Sequence, residues 1–136
     1  LRLQRQMCIR DSSRIGQGYY RQQIIDKWNG RCAVTNSGLL HVLIASHIVS
    51  WSESSDDERL DVENGILLSP MYDALFDKYF ISFEDSGDIL LSEQLSQEEV
   101  DFLNVVSDAK INVTNGMKPY LKRHREKMLK ANEQIN

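Results

Sequence analysis

The sequence predicts an α+β fold, and three observations carry that prediction. Two short apolar runs, Val42–Ala45 and Ile66–Leu68, are each bounded by polar and turn residues, as buried strands are. Directly after the second run, Ser69 and Pro70 open a helix, with Ser at the N-cap and Pro at the first helical position. Farther upstream, Tyr20, Ile24, Ile25 and Trp28 recur at helical spacing. The segment 39–80 therefore reads as strand, polar loop, strand and short helix, with helices on either side.

Each element follows in order. Ser13 to Gly30 reads as a turn and then a helix, stopped by Asn29–Gly30. Arg31–Thr35 reads as a short strand and Asn36-Ser37-Gly38 as a turn. His41 falls in the strand that runs from Val42 into Ser46–His47, as a packed or hydrogen-bonded residue. Ser52–Asp61 is a polar loop whose Asp56, Asp57 and Glu58 suit solvent. The helix opened by Pro70 runs to about Tyr79. Phe80–Leu91 reads as a hairpin turning at Glu84–Asp88. Ser96 and Glu99 have the spacing of a capping box, opening a helix to about Asn104. Ile111–Val113 is a candidate strand, and Pro119 opens a last helix from Tyr120 to about Asn132.

Composition bounds the answer. The 136 residues fit one domain, and 41% hydrophobic against 26% charged residues is ordinary for a globular chain. No apolar run approaches the roughly 18 residues of a membrane span, and no secretory signal is evident. Cys8 and Cys32 form no CxxC pair, so no four-cysteine zinc knuckle is encoded; Cys32 reads as a small buried residue. The first twelve residues differ from the rest. Met7-Cys8-Ile9-Arg10-Asp11-Ser12 resembles the translated end of a sequencing-library adaptor, so residues 1–12 are expected to be non-native and 13–136 to form the domain. A native basic helix with Arg2, Arg5 and Arg10 is the other reading.

The chemistry converges on few side chains. His47 ends the first strand and Asn64 opens the second. Asp73 and Asp77 are one helical turn apart on one face, where two carboxylates repel unless a cation joins them. A neutral imidazole facing such a cation suits phosphodiester hydrolysis, so His47 and Asp73 are expected to face each other across a gap. Asn64 is expected to tie the loop to the strand, against the plainer reading of a turn Asn before Gly. The net charge of −4 is unusual for a nucleic-acid binder, so cations are expected to be segregated or to come from an upstream part. Lys118, Lys122, Arg123, Arg125, Lys127 and Lys130 form the basic patch of the last helix, with Lys122, Arg123 and Arg125 as the phosphate candidates and a solvated helix as the plainer reading; its packing face reads as Tyr120, Leu121, His124, Met128 and Leu129. Arg59 either pairs with a loop acid or contacts substrate; Arg14, Gln17 and Arg21 are weaker phosphate candidates.

An ordered set of motifs sharpens this. Ala45-Ser46-His47-Ile48 with Trp51, then Asn64-Gly65-Ile66-Leu67-Leu68-Ser69-Pro70, Asp73-Ala74-Leu75-Phe76-Asp77 and Ile81-Ser82-Phe83 together resemble an HNH endonuclease domain, the ββα-metal or His-Me finger. Flanking Arg14-Ile15-Gly16-Gln17-Gly18, Arg31–Thr35 and Tyr120–Arg125 extend the likeness to the restriction-endonuclease-like HNH group. The resemblance implies His47 as general base, Asn64 holding the geometry and Asp73, with Asp77, as ligands of one divalent metal. It implies DNA as substrate and a cytoplasmic protein of bacterial or phage type, with no membrane and with the oligomeric state, a homodimer included, left open. Two positions depart from the family pattern. Asp73 stands where the helix usually carries its second His, and Ser46 stands where an acidic or His ligand often precedes the catalytic His. Carboxylate ligands favour magnesium (Mg2+) or manganese (Mn2+) over zinc (Zn2+) or nickel (Ni2+). The departures leave a catalytically degenerate DNA-binding module as an alternative, and a ribonuclease or toxin nuclease on the same fold as another.

Overall fold

The computed structural model describes residues 16–135. The suspected adaptor segment 1–12 and Arg14 lie outside the described residues. The fold is α+β. Helix α1 (16–27) is followed by strand β1 (Ile44–His47), helix α2 (Asp56–Arg59), strand β2 (Gly65–Leu68) and helix α3 (Pro70–Asp77). Then come β3 (Ile81–Phe83), β4 (Ile89–Leu91), α4 (Gln97–Phe102) and α5 (Lys118–Ile135). None of the described helices is long and apolar enough to cross a membrane.

β1 and β2 pair antiparallel with Ser46 opposite Ile66 and His47 opposite Gly65. Side chains alternate along a strand, so each such pair shares one face of the ribbon. The Ser46 face meets α3, where the Ser46 hydroxyl donates to Asp73. The His47 face meets α1, where Tyr20 stacks on the imidazole. Gly65 makes that approach possible: a Cβ there would collide with the Tyr20 hydroxyl and the Ile24 methyl. The ribbon is thus sandwiched between two helices, which explains why all four β2 residues are buried.

α3 is held at both ends by local chemistry. Pro70 sits in its first turn, and it ends where Tyr79 adopts φ 64° and the Phe80 N–H reaches back to the Leu75 carbonyl. Its buried face, Tyr72, Leu75 and Phe76, joins Phe83, Ile81 and Leu121 in one core. β3 and β4 form the expected hairpin, turning through Gly87 at φ 94°, where a side chain would also strike the Ile111 carbonyl. α5 closes the core by burying Leu121, His124 and Met128. Leu129, expected on that face, is exposed instead.

Four other expectations change. Arg31–Thr35 is a turn, not a strand, because the Cys32 sulfur and carbonyl accept the Thr35 and Asn36 N–H groups, leaving only Ala33 N–H to bond Leu67 of β2. β1 starts at Ile44 rather than Val42; the Val42 and Leu43 N–H groups close turns onto Leu39 and Leu40, and the Arg21 guanidinium caps the Leu40 and Leu43 carbonyls. His41 consequently lies exposed in a turn instead of packed in a strand. Residues 111–113 form no strand, only a bridge between Asp88 and Lys110 nearby. The polar loop is also more ordered than its composition suggests. Ser55 and Glu58 form a complete capping box that starts α2.

Candidate functional site

His47 is placed by three partners that the chain brings from separate elements. The Tyr20 ring lies flat against it at 4.2 Å between centroids, and the Trp51 ring stands near-perpendicular to it with centroids 5.8 Å apart. Its Nε2 lies 2.8 Å from the Arg59 carbonyl oxygen. A carbonyl only accepts, so Nε2 carries the proton and Nδ1 is left as the basic nitrogen. Burial holds the imidazole below its usual pKa, with the Arg59 charge adding to that and the carbonyl bond opposing it. A neutral ring with one free lone pair is the state a general base requires. The ring is half-buried and lines an open groove of about 380 Å3 with Gln17, Tyr20, Arg21, Ala45 and Trp51.

Asn64 is wholly buried and saturates its carboxamide. Its Oδ1 accepts the Val49 N–H at 2.9 Å, and its Nδ2 donates to the Glu58 carbonyl at 3.0 Å and to the Ser54 hydroxyl at 3.3 Å. One side chain therefore pins the backbone just after His47 to the helix whose last residue, Arg59, holds the imidazole. The Asn64 carbonyl in turn accepts the Tyr20 hydroxyl at 2.7 Å, which fixes the ring stacked on His47. Burial raises the Tyr20 pKa, so this hydroxyl stays a donor.

The expected face-to-face arrangement of His47 and Asp73 is not what strand geometry produces. Asp73 bonds Ser46, the residue before His47, and none of the partners of His47 is shared with Asp73. Neighbours in a strand point to opposite faces, so the strand presents Ser46 to α3 and His47 to α1. Asp73 is half-buried, and Asp77, one turn on, is exposed. Among the described residues no three His, Cys, Asp or Glu side chains gather into a ligand cage. What does meet is the Ser46 hydroxyl and the Asp73 carboxylate; Asp77 follows one turn on and is exposed. That donor set fits a hard ion of the magnesium class, which takes one or two carboxylates and completes its shell with water and phosphate; it does not fit a closed zinc cage.

The expected nucleic-acid contacts divide. Arg59 lies over the Trp51 ring at 4.6 Å and pairs with Asp56. Arg123 pairs with Glu58 at 2.6 Å, and Arg125 pairs with Asp85 at 3.1 Å while donating to the Phe83 carbonyl. Lys122 is exposed and makes no ion pair among the described residues. Arg21, a weak candidate, is spent on the Leu40 and Leu43 carbonyls. His124 is structural. It stacks on Phe76, its Nε2 donates to the Phe76 carbonyl and its Nδ1 accepts from Ser82, with burial pushing its pKa down to about 4.

Three contributors escaped the sequence reading. Tyr20 was legible only as one apolar member of a helical stripe. The Arg59 carbonyl is a backbone group with no side-chain signature. The Ser55–Glu58 capping box that positions it was legible, as Ser-x-x-Glu inside the acidic run.

A family model described as HNH endonuclease matches residues 32–84. No curated protein matches the chain.

Proposed function

We propose that this chain is a metal-dependent endonuclease hydrolysing DNA phosphodiester bonds, a reading supported by the match of residues 32–84 to the HNH endonuclease family model. The observation that carries the proposal is the His47–Arg59 bond, which leaves Nδ1 of a neutral imidazole free beside an open groove. In this reading His47 takes the proton of the attacking water through Nδ1 and holds it while the phosphodiester opens. Asn64 keeps the ring aimed by fixing both the Val49 backbone and α2. Asp73, with Asp77 and the Ser46 hydroxyl, would hold one divalent ion, magnesium or manganese by the donor chemistry. That ion, when bound, would supply positive charge to the phosphate attacked from the His47 side only across the end of β1, where Ser46 and His47 are chain neighbours. Lys122 offers a charge for the DNA backbone, and Arg59, Arg123 and Arg125 reach it by exchanging an acidic partner for a phosphate.

The second reading, a scaffold that binds DNA without cutting it, draws on the missing three-ligand cage among the described residues. Nicking of supercoiled plasmid with magnesium or manganese separates the two. The nuclease reading expects metal-dependent nicking by the wild-type chain and at least about a hundredfold less by His47→Ala, the usual scale for a lost general base. Equal nicking by His47→Ala overturns it, and no nicking under either metal favours the scaffold.

A further inference from the structure

We propose that Trp51 is a stacking platform for one nucleobase in the His47 groove, and that the preferred substrate is DNA with an unpaired base there. The proposal rests on the nuclease reading and names the form of its substrate. Tyr20, Tyr72, Phe76 and Phe83 are all buried, whereas Trp51 is 43% exposed. Exposed tryptophan is not unusual in itself; its setting is what matters here. Trp51 shares the groove wall with His47, the two rings near-perpendicular at an interplanar angle of 81°. The Arg59 guanidinium covers the ring at 4.6 Å, and the Arg59 Nε–H holds the Trp51 carbonyl at 2.9 Å. The short helix Trp51–Glu53 is closed by the Ser54 N–H on that same carbonyl.

The indole is therefore fixed by its own backbone, by a cation and by the proposed base, yet it stays open to solvent. A rigid exposed aromatic loses little freedom when a planar ligand stacks on it. Every base offers such a plane, and Arg59 adds a second one beside a positive charge that suits the neighbouring phosphate. Bases inside a duplex are already stacked on each other and cannot reach a side chain in a groove without leaving the helix. Single-stranded, frayed or displaced DNA meets the condition at no unpairing cost.

The test is a tryptophan-fluorescence titration in chelator, where nothing is cut. One probe is a single-stranded DNA oligonucleotide; the other has the same number of phosphates but abasic sugars throughout. Trp28 is the second of the two tryptophans, so its signal is removed by subtracting Trp51→Phe. The expected result is quenching of Trp51 by the base-bearing strand and binding roughly tenfold or more tighter than to the abasic strand, the scale of one base–aromatic stack. Trp51→Ala loses that factor for the base-bearing strand alone, and Trp51→Phe keeps most of it. Equal affinity for the two strands, or no quenching, overturns the platform. Plasmid nicking by the same variants separates the two proposals. Nicking that needs His47 with no base preference sinks only the platform; base-dependent quenching without nicking sinks only the nuclease.

Discussion

The Nε2–H of His47 is donated to the carbonyl oxygen of Arg59 at 2.8 Å, which commits the ring to one tautomer. The consequence is a pH profile. Burial lowers the His47 pKa, so the ring becomes a usable base at lower pH than a free histidine does. Cleavage at saturating metal is expected to rise with pH along a limb whose midpoint lies below about 6.5 and to be level by neutrality. Initial nicking rates measured across that range check it; a midpoint above 6.5 contradicts the environment described for the ring.

Asn64→Ala should cost both stability and activity. It leaves the buried Val49 N–H without its partner and removes one bond each from the Glu58 carbonyl and the Ser54 hydroxyl, which keep others. One unsatisfied buried donor costs about 1–3 kcal/mol, so a loss of about that size in urea unfolding is expected. Where the variant still folds, the fall should appear in kcat rather than KM, because the imidazole is misaimed while the groove remains.

Asp73→Asn isolates the metal question. The amide can still accept from Ser46, so thermal stability should stay close to wild type, within about 1 kcal/mol. Loss of the charge should weaken stimulation by magnesium or manganese by at least an order of magnitude. Metal titrations of both proteins decide; unchanged titrations would remove Asp73 from the ligand set.

His124 should make the fold acid-sensitive. Its folded pKa of about 4 lies below the unfolded value of 6.5. The unfolded chain thus binds the proton first as pH falls. Stability is complete above about 6.5 and declines until about 4, by roughly 3 kcal/mol in total. Urea midpoints across that window should show the slope in wild type and a shallower one in His124→Gln. His47 contributes in the same direction, so the slope should shrink without vanishing.

Phe76→Ala should destabilise by about 3–5 kcal/mol, since the ring is 1% exposed and packs against both Phe83 and His124. Differential scanning calorimetry checks this; a cost under 1 kcal/mol would mean that the core relaxes around the gap.

The sequence by itself determined the ββα order, the hairpin, the α3 start at Ser69–Pro70 and the motif around His47 and Asn64. Those features are encoded locally, by apolar runs, capping residues and turn residues at fixed spacing. Three things waited for the tertiary structure. The pairing of Ser46 with Asp73, leaving His47 to Tyr20 and Arg59, depends on which helix covers which face of the β1–β2 ribbon. The turn at Arg31–Thr35 depends on the Cys32 sulfur, which accepts N–H groups from Thr35 and from distant Ser69. Half of the basic stripe of α5, Arg123, Arg125 and Lys127, is matched by Glu58, Asp85 and Glu53 from elements far along the chain. Strand and helix periods say which residues share a face, but only packing says what that face meets, because burial and hydrogen bonding are settled between segments remote in sequence.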